Sequence, residues 1–272
     1  MIRNSFLGLL SLAMLDTANA DWALNMPKGV TELSAETYDL HMMVFWWCVA
    51  IGAIVFGVMF YSLFKHRKSV GAKPATFSHS TTAEVIWTAI PCVILLVMAV
   101  PSAETMIKIE DSRNPDVSII VTAYQWKWHY KYQDQGVEFY SSLALPSVMA
   151  RPRNSGIDPF SVENYLLEVD HPVVVPKGKK IRLLLTSNDV IHSWWVPDLA
   201  IKKDAIPGLV NEAWFRAIKT GTYRGQCAEL CGKDHGYMPI VVEVVEPDAY
   251  QAWLDARTSN GAQIAQLERP EL

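Results

Sequence analysis

Two apolar runs dominate the first half of the chain. Residues 41–64 and 85–103 are each about twenty residues long, the length a helix needs to cross roughly 30 Å of hydrocarbon. Ser34 and Glu36 offer the first run an N-cap and an acidic first turn. Trp46, Trp47 and Tyr61 lie toward its ends and Trp87 near the start of the second, where amphipathic rings favour the membrane interface. Pro91 and Pro101 would damage a soluble helix but are tolerated in a membrane one. A shorter run, residues 6–15, follows Arg3 and precedes Ala18-Asn19-Ala20, the layout of a secretory signal peptide over residues 1–20. Lys65, Arg67, Lys68 and Lys73 gather positive charge between the two long runs, which predicts a cytoplasmic loop at 65–84 and both chain ends outside.

Beyond residue 108 the pattern shortens to β-type runs. Across 117–132, Trp126, Trp128, Tyr130 and Tyr132 alternate with Lys127, His129 and Lys131, a period of two. Further strands are predicted at 165–169, 180–187, 212–218, 221–226 and 239–245. Pro172, Pro176, Gly178, Pro207, Gly208 and Gly221 mark turns between them. Residues 143–160, rich in Pro, Ser, Gly and Arg, read as a long loop, and 248–257 as a closing helix. The predicted fold is a membrane-anchored α+β chain: an outer segment 21–40, a two-helix transmembrane hairpin 41–107, an all-β sandwich or barrel 108–258 and a tail 259–272.

Composition adds a limit. The 272 residues carry a net charge of −4, and from residue 109 onward acids outnumber bases by 21 to 17. The outer domain has no basic stripe, which excludes a general nucleic-acid role. Cys48 and Cys92 fall inside the spans, where they read as packing residues.

The chemistry is concentrated in Cys227-Ala-Glu229-Leu-Cys231-Gly-Lys-Asp-His235-Gly-Tyr-Met238, with a second imidazole at His192. Thiolate, imidazole and thioether are the soft and borderline ligands that select copper over hard cations. A Cys-x-x-x-Cys pair outside the cytoplasm could instead be a disulfide, and the His/Cys set could hold structural zinc. Thioether is a poor zinc ligand, however, and would then be idle. One copper of the blue type needs a single thiolate. The second Cys suggests two coppers bridged by two sulfurs, one histidine on each, with Met238 and a backbone carbonyl as weak axial ligands: a two-copper electron-transfer centre.

Taken together, several segments resemble subunit II of the haem–copper cytochrome c oxidases over most of the chain from Leu40 to about Trp253. They are Ala83-Glu84-Val-Ile-Trp87-Thr, Tyr124-Gln-Trp126-Lys-Trp128, Asp189-Val-Ile-His192-Ser-Trp, Lys203-Asp204-Ala-Ile-Pro207-Gly208 and Gln226-Cys227-Ala-Glu229-Leu-Cys231 through Met238-Pro239. The resemblance implies a cupredoxin-like barrel for 108–258 carrying the dinuclear copper centre CuA. Cys227 and Cys231 would bridge, His192 and His235 would be terminal ligands, and Met238 and the Glu229 carbonyl axial ones. It further implies a magnesium or manganese ion on the Glu229 side chain, shared with subunit I. Trp126 would be the residue through which electrons arrive, and Glu84 the mouth of a proton-uptake path. Asp134, Asp170, Asp189 and Asp198 would form an acidic patch for cytochrome c. Lys131 departs from the acid that many relatives carry there.

The implied function is electron transfer from cytochrome c through CuA to haem in subunit I, where oxygen reduction and proton pumping occur. The implied location is a bacterial inner membrane, with the copper domain on the periplasmic side. The chain carries no Cys-x-x-Cys-His, so no haem of its own is expected. Three rivals are a nitrous-oxide-reductase module, a copper carrier and a quinol-oxidase relative. The two spans argue against the first, the second thiolate against the carrier, and the full ligand set against the quinol oxidase.

Overall fold

A computed structural model describes residues 25–267 of the chain, with side chains as far as 258. The signal-like residues 1–20 lie outside the described part. Helix α1 (Glu32–Lys65) and helix α2 (Thr81–Glu110) contain the two apolar runs and extend past both. Among the described residues these are the two helices long and apolar enough to cross a membrane, and their apolar stretches are not buried within the chain. The hydrophobic pattern underestimates their length because polar first and last turns, outside hydrocarbon, carry no such signal. Residues 32–40, expected in a separate outer segment, are therefore helical, and the connection between the helices shrinks to 66–80.

The start of α1 is one turn earlier than expected. Thr31, not Ser34, is the N-cap: its hydroxyl accepts from the Ser34 backbone N–H at 2.9 Å, while the Ser34 hydroxyl accepts from the Thr31 N–H at 2.8 Å. This reciprocal capping box satisfies two helix-end donors at once.

The segment before α1 is also stitched to the β domain. Val30 N–H donates to the Asp198 carbonyl, and Ile218 N–H to the Val30 carbonyl. Thr31 bridges to Ala217, and Leu33 is buried. At the other end of the hairpin, the Trp214 indole N–H donates to the Lys108 carbonyl of α2 at 3.0 Å.

The β domain is two five-stranded sheets packed face to face. The first runs β3 (Val137–Ser141), β2 (Lys127–Tyr132), β1 (Val117–Tyr124), β5 (Ile181–Ser187), β8 (Asn211–Phe215). The second runs β4 (Val173–Pro176), β10 (Pro239–Val245), β9 (Gly221–Cys227), β6 (His192–Val196), β7 (Ile201–Ala205). Pairing is antiparallel except for β1 with β5 and β4 with β10. Alternate residues point inward: Trp128, Tyr130 and Tyr132 from one sheet meet Trp194, Ile240 and Val242 from the other, all buried.

Several expectations change. The run 117–132 is not one strand but a hairpin that turns at Gln125 and Trp126. The strand expected at 165–169 does not form, because Asn164 and Leu166 take left-handed backbone with φ of 51° and 62°; only Val169 bridges, to Leu143. The loop expected at 143–160 contains a short helix, α3 (Leu145–Ala150), where Pro146 sits in the first turn and its missing N–H costs nothing. The closing helix, α4 (Pro247–Leu267), runs through much of the expected tail.

Two buried hydroxyls join the sheets: Tyr130 on β2 accepts from the Trp194 indole N–H on β6 at 3.2 Å. Tyr132 on β2 donates to the Val174 carbonyl at 2.7 Å and accepts from the Val174 N–H at 3.0 Å, satisfying the outer edge of β4. Tyr132→Phe should cost about 1–3 kcal/mol, the penalty for leaving buried polar groups unpaired. The chemical-denaturation midpoint of the detergent-solubilised chain would show it, and an unchanged midpoint would contradict this role.

Candidate metal centre

The site sits where strand ends converge. Cys227 is the last residue of β9 and Met238 immediately precedes β10. The pairing of Pro239 with Gln226 closes the intervening loop at its base. His192 opens β6, held against β9 by the pairing of Trp194 with Cys227. One loop and one strand end thus deliver all the expected ligands, as the spacing suggests.

Their atoms face one another. The Cys227 and Cys231 Sγ atoms lie 3.9 Å apart and form no disulfide. His192 Nδ1 is 3.8 Å from Cys227 Sγ, and His235 Nδ1 is 3.6 Å from Cys231 Sγ. Met238 Sδ lies 3.6 Å from Cys231 Sγ, and the Glu229 carbonyl 3.4 Å from Cys227 Sγ. Cys227, Cys231, His192 and Met238 are buried, whereas the Glu229 side chain is exposed.

The electrostatics suit a cation. Burial raises the Cys227 thiol, but hydrogen bonds with His192 and with the backbone at Glu229 and Ser193 outweigh it and bring the group down to about 7. Burial and the neighbouring Cys227 charge push Cys231 up to about 12. Two adjacent thiolates repel, and a positive ion between them removes that penalty. The donor set therefore fits a soft, thiolate-seeking metal such as copper.

A further set of groups orients these ligands. Asp189 Oδ1 lies 2.9 Å from His192 Nε2, so an Nε2–H donating to the carboxylate leaves the Nδ1 lone pair facing the sulfurs. Burial would lower the His192 imidazole, but Cys227 and Asp189 raise it above its ordinary value. Burial likewise pushes the Asp189 carboxyl up, while bonds from His192 and from the Val190 and Gln125 N–H groups pull it below the usual range. Gln125 Nε2 and Trp126 Nε1 both donate to the Cys231 carbonyl, at 2.8 and 3.3 Å, and Trp128 Nε1 donates to the Met238 carbonyl at 3.3 Å. Gly232, at φ 122°, lies so close that a side chain there would meet the Trp126 ring at 3.1 Å.

The remaining expected residues are spread out. Trp126 is half-buried against the ligand loop. Asp170 is exposed and accepts from the Ser142 N–H, and Ser142 shares a surface groove with Trp126. Asp134 lies in the turn at the opposite end of β2, about 20 Å away at the usual strand rise. Asp198 packs beside the start of α1. The four acids do not form one patch. Lys131 pairs with Glu138 across the strands at 3.5 Å. Glu84 stands exposed in the first turn of α2, far along the chain from the ligands. Sequence reasoning missed the orienting role of Asp189; its signal was an acid three residues before a ligand histidine. Gln125 carried no such signal.

Residues 117–245 match the family model for the periplasmic domain of cytochrome c oxidase subunit II, and residues 19–105 match the model for its transmembrane domain. A probable cytochrome c oxidase subunit 2 of Rickettsia prowazekii is 38% identical over 233 residues, 86% of this chain and 72% of that protein. One from Rickettsia bellii is 37% identical over 241 residues, 89% of this chain and 86% of the relative. The crystal structure of the periplasmic domain of cytochrome oxidase subunit II from Bradyrhizobium japonicum is 40% identical, covers 55% of this chain and 98% of that one, and has a TM-score of 0.47.

Asp189→Ala removes the partner that holds the His192 ring. Metal affinity should fall about 10- to 100-fold, the usual loss when a ligand's orienting partner is deleted. Competition with a chromophoric chelator measures it. Asp189→Asn, which keeps an acceptor, should fall between; equal affinity in all three proteins would contradict the orienting role.

Proposed function

This chain belongs to the cytochrome c oxidase subunit II family, and on that premise we propose that it accepts electrons from cytochrome c at a two-copper centre and hands them to subunit I. It is a membrane-bound oxidoreductase subunit that works with other oxidase subunits. The single observation that supports the finer reading is the meeting of two unlinked thiols, two imidazole Nδ1 atoms, a thioether and a carbonyl at one point. Cys227 and Cys231 would bridge two coppers, His192 and His235 would be their terminal ligands, and Met238 and the Glu229 carbonyl would complete them. When bound, the pair of coppers supplies a one-electron couple.

The chain's own residues keep that couple fast. β6, β9 and β10 fix the ligands from a rigid scaffold, so that oxidation changes geometry little. Trp128, stacked edge-on near His192 with ring centroids 6.1 Å apart, and Trp194 exclude water from the buried side. Trp126 offers a half-buried ring hydrogen-bonded to the Cys231 backbone, a direct connection from the surface to a residue that would hold the metal.

The exposed Glu229 carboxylate suits a magnesium or manganese ion at the boundary with subunit I. Glu84 would take protons at the cytoplasmic end of α2. The basic connection between the helices supports a periplasmic side for the copper domain, by the excess of positive charge in cytoplasmic loops. Asp134, Asp170 and Asp198 add negative potential that steers cytochrome c toward the surface, while Asp189 acts on His192.

Electron paramagnetic resonance of the copper-loaded chain tests the centre. One electron shared equally by two copper nuclei of spin three-halves gives seven hyperfine lines, which is the expected result; four lines would refute the two-copper reading. Cys227→Ser or Cys231→Ser should abolish the seven-line pattern. Separately, Trp126→Phe should leave that spectrum intact in the assembled oxidase. It should slow electron uptake from cytochrome c by about tenfold or more, the factor set by ~1.4 kcal/mol in the barrier. Unchanged uptake would refute the relay role.

A further inference from the structure

The loop 228–238 is held firmly at Cys231 and Met238 by donors from the β1–β2 hairpin. Its middle, which carries His235, is gripped from elsewhere. Arg151, at the C-terminal end of α3 and 83 residues away in the chain, forms an ion pair with Asp234. The same guanidinium lies 3.9 Å from the centroid of the Tyr237 ring. One side chain thus holds both neighbours of the His235-Gly236 step, the first by charge and the second by stacking. Asp234 is only 16% exposed, so the pair is partly screened from solvent.

Arg151 is itself firmly placed. Its N–H donates to the Ser147 carbonyl. Ser147 is fully buried, and its hydroxyl accepts from the Leu166 N–H at 3.1 Å. Ala144 N–H donates to the Glu168 carbonyl, and Leu143 bridges Val169. The segment between β3 and β4 is thereby fastened at both ends, and it presents the Arg151 guanidinium to the ligand loop. Arginine suits this task because its guanidinium can pair with a carboxylate and stack on a ring at once, which a lysine ammonium cannot.

Resting on the copper reading above, we infer that Arg151 is a positioning residue for the ligands His235 and Met238, acting through Asp234 and Tyr237. Its side-chain contacts run to Asp234 and Tyr237, the neighbours of those ligands in the loop. Its contribution is to hold one half of the ligand set in place against the other half, which His192 and Asp189 hold independently.

The test has two arms on the full-length chain. In the metal-free protein, Arg151→Gln should speed backbone amide exchange across 232–238 by about tenfold, the factor expected when a charge-assisted hydrogen bond is lost from a partly exposed pair. Exchange in β1 and β2 should stay as in the parent. Arg151→Lys, which keeps the charge without the planar stack, should restore part of the protection. In the copper-loaded protein, Arg151→Gln should make the hyperfine pattern unequal between the two coppers, because the His235 side shifts and the His192 side does not. Unchanged exchange across 232–238 overturns the inference, and so does a rise shared equally by β1 and β2, which would mark a general stabiliser. The metal-free arm involves no copper. Failure of the copper reading would instead show in the parent chain, as a spectrum without the shared-spin pattern.

Discussion

A thiol ionises reluctantly beside another thiolate, and here two of them lie 3.9 Å apart with both side chains buried. In water such a pair would drift apart or oxidise. Held by backbone, it becomes a place where positive charge is favoured, and it is built into the core of the β domain. Cys227 is fixed by the ladder of β9, and Cys231 by two donors onto its carbonyl. Both sulfurs are kept from solvent by Trp128, Trp194 and the facing sheet. The burial that makes ionisation costly for the bare site is the same burial that strengthens a bound cation's attraction to it.

The two sheets divide the work. Every side-chain ligand comes from the second sheet and its loop, at the ends of β6, β9 and β10. The side chains that donate to the backbone of that loop at Cys231 and Met238 come from the hairpin at the end of the first sheet: Gln125, Trp126 and Trp128. Packing the sheets face to face therefore assembles the site as well as the core. The Tyr132 hydroxyl, reaching from β2 to Val174 on β4, is the same arrangement repeated at the other end of the hairpin.

The cluster of candidate ligands was legible because its chemistry is local: five side chains of soft or borderline character, four of them within twelve residues. The membrane helices were legible because hydrocarbon demands long unbroken apolar runs. Three of the hidden strands share a setting. β3, β4 and β7 went unseen, and each lies at the edge of a sheet, where one side of the strand is unpaired and the sequence tolerates charge or proline. The Ile201–Ala205 strand carries Lys202, Lys203 and Asp204, and Val173–Pro176 ends on a proline that an edge can accept. The central β6 was missed for a different reason, since its short run begins with the ligand His192. Asp189 was read as a surface charge because nothing in a linear pattern shows that its carboxylate turns inward onto His192. Arg151 was unreadable, since its partners are brought to it only by the fold.

The helical hairpin is tied to the β domain at both of its outer ends, through Val30 and Thr31 before α1 and through Lys108 and Trp214 after α2. A single tether would let the domain swivel above the membrane. Tunnelling rates decay exponentially with separation, so under the proposed electron-transfer role a swivelling domain would sample a wide spread of rates, most of them slow. Two attachment points restrict that freedom, and they make the height of the thiol pair above the helical hairpin a property of the fold.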